Sequence, residues 1–275
     1  TIQAIVLGAI QGFTEFLPVS SSGHLVIAQS LFGIQVPGIT FEVMVHLGTL
    51  MAVVAFYWTD IWRIIGALFR EIFGSGRKKG VWRNCESRLA VLVLAGTVPA
   101  AIAGLALKDR IDQAFASPFL VGAALLITGL VLWTSEGEKK GRRKEADLKL
   151  GDALAVGIAQ AFAITPGLSR SGLTISTALR RRIDRPLAAR LSFLLSIPAV
   201  GGAALLDIYG VYKTKAQLPW AQIGFGTLAS FITGLVAIRL IVGVIKSGKF
   251  RYFAVYCWVV GALTLIVSAL RVRWF

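Results

Sequence analysis

Six apolar runs fix what this chain can become. They lie at roughly 40–58, 88–107, 118–135, 186–208, 220–242 and 252–270, and each has about the ~20 residues a helix needs to cross a bilayer. Backbone in lipid must satisfy its polar groups internally, so these runs predict transmembrane helices. The composition agrees, with 56% hydrophobic and 16% charged residues and a mean hydropathy of +0.73. One all-α integral membrane domain over residues 1–275 is expected. The net charge of +15 sits between the apolar runs, where headgroups and positive-inside bias explain it without nucleic acid. Cys85 and Cys257 are far apart, outside any Cys-x-x-Cys, and predict neither a disulfide nor a thiolate metal site. The start, TIQAIVLGAIQGF, lacks the basic segment and small-residue cleavage site of a signal peptide and is read as part of the fold.

Two further apolar stretches, 2–33 and 151–179, are broken by EFLPVSSSGH and ITPGLSRSG into pieces too short to span. Irregular backbone at membrane depth is tolerated only where protein buries it or a wet cavity takes it. Both stretches are therefore expected to be re-entrant helix–loop–helix hairpins. Shifting the first by 149 positions pairs Gly8 with Gly157, Gln11 with Gln160, Phe13 with Phe162, Ser20 with Ser169, Ser22 with Ser171 and Gly23 with Gly172. A weaker echo links RLAVLVLAGTVPA (88–100) with RLSFLLSIPA (190–199). The chain thus reads as repeat one, about 1–135, a cytoplasmic loop, 136–150, and repeat two, about 151–275.

Each repeat is one hairpin and three spans, and an odd span count makes the second repeat enter from the opposite side, giving an inverted-topology repeat. Lys and Arg number seven in 59–88, six in 136–150, four in 180–185 and three in 243–251, against two each in 108–117, 209–219 and 271–275. The first set is expected in the cytoplasm. Hairpin one then dips in from outside and hairpin two from inside, and their broken tips should meet near the midplane.

At each tip a short helix should begin after the Ser/Gly run and point its free N–H groups and positive dipole end into the cavity. The second tip, PGLSRSGLT, adds Arg170 between Ser169 and Ser171, with Thr174 one turn on; guanidinium, hydroxyls and helix N–H groups match phosphate oxygens. Ser20 and Ser22 stand at the corresponding first tip. Gln11 and Glu15, four apart on one helix face, can offer oxygens to a hard cation. Ser21 and His24, three apart, bring a hydroxyl nucleophile and an imidazole within reach. The plainer alternatives are Glu15 as counter-ion to Arg170, Ser20 and Ser169 as caps, and His24 as a buried core imidazole. Glu42 and His46 begin the first span as supporting groups or as a pair. Arg190 is expected to snorkel, the run EGEKKGRRKEADLK to be a solvated loop, and DIWRIIGALFREIFG (60–74) to be an interfacial helix.

These motifs resemble the bacterial undecaprenyl pyrophosphate phosphatases of the bacitracin-resistance type. The resemblance rests on a Glu/Gln-x-x-x-Glu element, here QGFTE followed by FLPVSSSGH, and a P-G-x-S-R-S-x-x-T element, here PGLSRSGLT. It implies hydrolysis of undecaprenyl diphosphate to undecaprenyl phosphate and inorganic phosphate, which recycles the cell-wall lipid carrier for peptidoglycan synthesis. It also implies a divalent cation, Mg²⁺ or Ca²⁺, the bacterial cytoplasmic membrane, and a site open to the outer face. By position, the family's functional residues fall on Gln11, Glu15, Ser21, His24, Ser169, Arg170 and Thr174. Position 11 can be Glu in this family; Gln11 offers a carbonyl oxygen but cannot be a base.

Within that frame Arg170, Ser169 and Thr174 would hold the diphosphate while Gln11 and Glu15 position the metal. Ser21 would attack with His24 as proton acceptor, the alternatives being His24 itself or water as nucleophile. SSGH also resembles the type 2 phosphatidic acid phosphatases, but five residues beyond Arg170 stands Ser176, where that family needs histidine. A transporter or lipid flippase is the rival from another class, because paired inverted hairpins are a transporter architecture. Small residues at VGGAALL (200–206) offer a packing face for another helix or for a second protomer in a homodimer.

Overall fold

The computed structural model describes residues 1–32, 38–73, 81–82, 84–136, 141–214 and 218–272. Along them run α1 (Ile2–Phe16), α2 (Ser21–Phe32), α3 (Gly38–Phe56), α4 (Trp58–Phe73), α5 (Cys85–Ala106), α6 (Lys108–Phe115), α7 (Pro118–Glu136), α8 (Leu150–Phe162), α9 (Arg170–Arg180), α10 (Arg185–Thr214), α11 (Trp220–Ser247) and α12 (Arg251–Val272). Helices α5, α7, α10, α11 and α12 are long and apolar enough to cross a membrane, and α3 with α4, bent by 78°, makes a sixth candidate. This is an all-helical, multi-pass membrane protein, and the six expected spans coincide with α3, α5, α7, α10, α11 and α12.

Local chemistry breaks the two hairpins where the sequence places the breaks. Leu17 precedes Pro18, whose ring disfavours helical backbone at that position; Leu17 is extended, with φ −66° and ψ 142°, and α1 ends at Phe16. In the second hairpin Gly167 takes the left-handed φ of 92°, which glycine reaches without steric cost. Helices α1 and α8, of 15 and 13 residues, are too short to span.

Each first hairpin helix is clasped by a span from the other half of the chain. A Cβ on Gly8 of α1 would lie 2.1 Å from the carbonyl oxygen of Gly226 in α11, and one on Gly157 of α8 would lie 2.1 Å from that of Gly96 in α5. Gly8 and Gly157 are partners at the 149-residue offset, so α11 and α5 do the same work for the two halves. The 88–100 and 190–199 echo instead aligns α5 with α10, and so does not mark helices with equivalent contacts. Between the halves, Phe16 of α1 meets Phe193 of α10 edge-on, with ring centroids 5.5 Å apart.

Between α5 and α7, Lys108–Phe115 forms the short helix α6. Two polar expectations are corrected. Residues 141–149 are not a freely solvated loop: Arg143 pairs with Asp152 at 2.6 Å, its backbone bonds Arg182 and Asp184 at 3.1 and 3.0 Å, and Leu148 is buried. A buried carboxylate so close to the loop leaves Arg143 no comparable partner in water. Arg190, rather than snorkelling alone, contacts Asp60 of α4 at 2.9 Å and Glu145 at 2.7 Å. Basic residues at 77–79, 83, 139, 140, 215 and 273 lie outside the described residues.

Candidate active site

The two tips touch. A Cβ on Gly23 would lie 3.1 Å from Gly167 Cα, and one on Gly172 would lie 3.4 Å from Pro18 Cβ. At the offset of 149, Pro18 corresponds to Gly167 and Gly23 to Gly172. The contacts are therefore reciprocal, as a local two-fold axis requires. Hydrogen bonding repeats with them: Ser20 Oγ accepts from Gly23 N at 3.2 Å and Ser169 Oγ from Gly172 N at 3.0 Å. Behind the tips, Thr128 of α7 donates its hydroxyl to the Gly167 carbonyl at 3.0 Å, and Cys257 of α12 its thiol to that of Pro18 at 3.7 Å. Ser171 stitches the hairpins together by donating to the Leu17 carbonyl at 3.0 Å.

Functional groups converge on Glu15. Its Oε1 accepts from Arg170 Nη2 at 2.5 Å, a contact spanning the two hairpins. Its Oε2 accepts from Ser21 Oγ at 2.5 Å and from Gln11 Nε2 at 2.8 Å, and lies 3.6 Å from His46 Nε2. The four-residue spacing of Gln11 and Glu15 puts both on one face of α1; the Pro18 turn folds Ser21 back over them. Charge-assisted bonds of this kind are shorter and stronger than neutral ones. Chemically, Glu15 can take the Ser21 proton, and Arg170 is a guanidinium that an incoming anion can share.

Other expected site residues lie elsewhere or do other work. His24 does not reach Ser21: its Nδ1 bonds the Ser20 carbonyl and its Nε2 the Tyr256 hydroxyl, each at 2.7 Å. A carbonyl only accepts, so Nδ1 carries hydrogen, and in the neutral ring Nε2 accepts from Tyr256. Thr174 is fully buried and bonds Ser192 Oγ of α10 at 2.6 Å and the Arg170 carbonyl at 2.7 Å, fastening α9 to α10. Ser20 and Ser169 cap their helices, with Ser22 and Ser171 each 3.3 Å from the cap hydroxyl. Glu42 and His46 do not pair through their side chains; Glu42 accepts from Gln29 at 3.0 Å, and His46 turns to Glu15. Tyr256, Ser192 and Thr128 went unread, because only contacts between distant helices reveal them. His46 had a weak signal in being one of two histidines.

Gln11 bears on metal binding. Its Oε1 is buried and has no hydrogen-bond partner among the described residues, which is an oxygen a hard cation can use. Glu15 is the one carboxylate beside it, and no group of three His, Cys, Asp or Glu suited to a metal occurs among the described residues. Two protein oxygens fit a cation that takes most of its ligands from phosphate and water, as Mg²⁺ commonly does.

Fold and site together define a polytopic helical membrane protein with a serine–carboxylate–guanidinium centre at the meeting of two broken hairpins. The chain matches the family described as Bacitracin resistance protein BacA over residues 4–263, and it belongs to that family. It is similar to the undecaprenyl-diphosphatase of Desulforapulum autotrophicum, at 41% identity over 270 residues covering 97% of this chain and 98% of the relative. Relatives of the same name in Carboxydothermus hydrogenoformans and Methanosphaera stadtmanae are 40% and 41% identical over 272 residues, covering 98% and 97% of this chain and 98% of each relative.

Proposed function

We propose that this protein is an undecaprenyl-diphosphate phosphatase that releases inorganic phosphate and returns the lipid monophosphate carrier to cell-wall synthesis. The observation that carries the mechanism is the Ser21–Glu15–Arg170 cluster at the touching tips. Ser21 Oγ attacks the terminal phosphorus and gives its proton to Glu15 Oε2, 2.5 Å away. The bond from that phosphorus to the bridging oxygen breaks, and undecaprenyl phosphate leaves. Water then hydrolyses the phosphoserine, regenerating Ser21. Arg170 binds the diphosphate and offsets the charge that builds on its oxygens, helped by the first-turn N–H groups of α2 and α9 that Ser20 and Ser169 do not occupy. Gln11 and Glu15 would hold the divalent cation, which when bound neutralises phosphate charge. His24, turned to Tyr256, orders the start of α2.

The reciprocal tips and the paired glycine contacts support two inverted repeats; the clustering of basic residues in alternate inter-span segments favours a site facing outward from the bacterial cytoplasmic membrane. The open flank of α10, where Gly202 has nothing within 4 Å and Leu205 and Leu206 are exposed, suits a homodimer. To test the chemistry, substrate labelled in its terminal phosphate is quenched during turnover and the protein digested. Label on Ser21, lost in Ser21→Ala, is expected. Label on His24, or full turnover in Ser21→Ala, rejects the serine route; lipid movement without phosphate release, with divalent cation present, rejects the phosphatase.

A further inference from the structure

At the foot of the second hairpin, away from the tip, Arg88 of α5 and Arg142, Arg143, Asp147 and Lys149 of the segment that leads into α8 line a cavity of about 590 Å³. Helix α8 separates it from Arg170 by 13 residues, about 20 Å. Four cations face it and one carboxylate. Their charges are unequally spent. Arg143 is committed to both oxygens of Asp152, at 3.0 and 2.6 Å. Arg88 donates to the Glu145 carbonyl at 2.7 Å, which orients the guanidinium without neutralising it. Asp147 accepts from the Lys144 backbone N–H at 2.8 Å. Arg142 and Lys149 are exposed, and neither has an ion pair among the described residues.

We propose that this cavity is a second anion site, distinct from the catalytic centre, that takes a phosphate group. Two guanidinium forks and an ammonium around a concave surface match phosphate oxygens. The source is either the phosphodiester of an anionic lipid or free inorganic phosphate; basic pockets at the edge of helical bundles commonly receive lipid headgroups. The segment that forms the cavity also grips Asp152 in the first turn of α8 and, through Arg143, the Arg181 carbonyl at the end of α9, 3.0 Å away. A bound phosphate therefore braces both ends of the hairpin that carries Arg170.

The test uses the full chain in nanodiscs of neutral phosphatidylcholine, with phosphatidylglycerol added in one arm and inorganic phosphate in the other. Native mass spectrometry reads retained lipid, and calorimetry reads phosphate binding. Two variants are compared: Arg142→Gln with Lys149→Gln, which removes charge, and Ala146→Trp, which puts an indole into the cavity and keeps its charge. Wild type should retain phosphatidylglycerol in preference to neutral lipid if the source is lipid, or bind phosphate in neutral discs if it is free anion. Both variants should weaken that binding by about tenfold or more while keeping turnover in neutral discs. Arg170→Gln should leave lipid retention unchanged and, with inorganic phosphate, should keep the binding component that the two cavity variants lose. Equal binding by wild type and both variants, or no binding in either arm, overturns the proposal.

Discussion

Replacing Arg170 by Gln strands Glu15 as a carboxylate, 6% exposed, that still has Gln11 and Ser21 but has lost the guanidinium at 2.5 Å. Replacing Glu15 by Gln strands the Arg170 charge, 15% exposed, with neutral acceptors, the amide oxygen and the Ser192 carbonyl at 3.5 Å, in place of a carboxylate. Breaking a buried pair from one side costs about 3–5 kcal/mol, because the remaining charge is uncompensated, whereas removing both charges is often close to neutral. At about 2–4 °C per kcal/mol for a chain near this size, either single variant should melt roughly 6–20 °C below wild type. The double variant should lie within about 4 °C of wild type. Thermal unfolding of all four proteins in one detergent and lipid mixture reads the cycle, and phosphate release reads turnover. Turnover should fall at least about 100-fold in all three variants, since base and anion holder are both essential to the proposed route. A double variant that melts as far down as the two singles combined would mean the charges do not face each other. Wild-type turnover in Arg170→Gln would remove the guanidinium from the site.

Gly157→Ala and Gly8→Ala each place a methyl 2.1 Å from a carbonyl oxygen and should cost about 1–3 kcal/mol, whereas Gly243→Ala, with nothing within 4 Å, should not lower the melting temperature; an unchanged Gly157→Ala would deny the helix contact. Tyr256→Phe removes the donor to His24 Nε2, which ¹⁵N NMR of that nitrogen should register. If Tyr256 acts through His24, adding Tyr256→Phe to His24→Ala should lower turnover no further, and additive losses would separate them. Asp152, beside the basic segment and outside the spans, is raised by burial, but hydrogen bonds from Arg143 and Arg181 outweigh this and hold it at about 2, below its usual 3.8. A lowered carboxylate stabilises the fold above the unfolded value and loses that contribution as pH falls through the folded one. Wild type should therefore lose stability between about pH 4 and 2 relative to Asp152→Asn, and parallel acid melting curves for the two would contradict this.

Length and hydropathy announced the spans because lipid leaves a helix little alternative. The hairpins were equally legible, since Pro18 and Gly167 act on their own backbone and need no distant neighbour. Polar segments were harder. Nothing in EADLK says that Arg143 finds Asp152 or that Leu148 is buried; those depend on where α8 and α9 end in space. The site was half legible for the same reason. Spacing put Gln11 and Glu15 on one face, but three-residue spacing put His24 near Ser21 only in projection. The Pro18 turn swings Ser21 towards Glu15, while His24, nearly a turn further along α2, faces α12.

The repeat also explains why the two tips had to diverge. A two-fold relation gives equivalent positions equivalent work, and it does so for the caps, where Ser20 and Ser169 each accept from the backbone N–H three residues on. Equal residues at the chemical positions would fail. Arginine at position 21 would remove the hydroxyl that meets Glu15 Oε2 and bring a second guanidinium to the carboxylate that Arg170 already contacts. The sequence has Ile164 opposite Glu15 and Ser21 opposite Arg170. On the proposed route the matched caps hold the backbone, and the unmatched positions supply the nucleophile Ser21, the base Glu15 and the cation Arg170. Restoring it with Ser21→Arg should abolish turnover even if the caps and reciprocal glycine contacts survive, and a variant that melted normally yet still released phosphate would show that the nucleophile lies elsewhere.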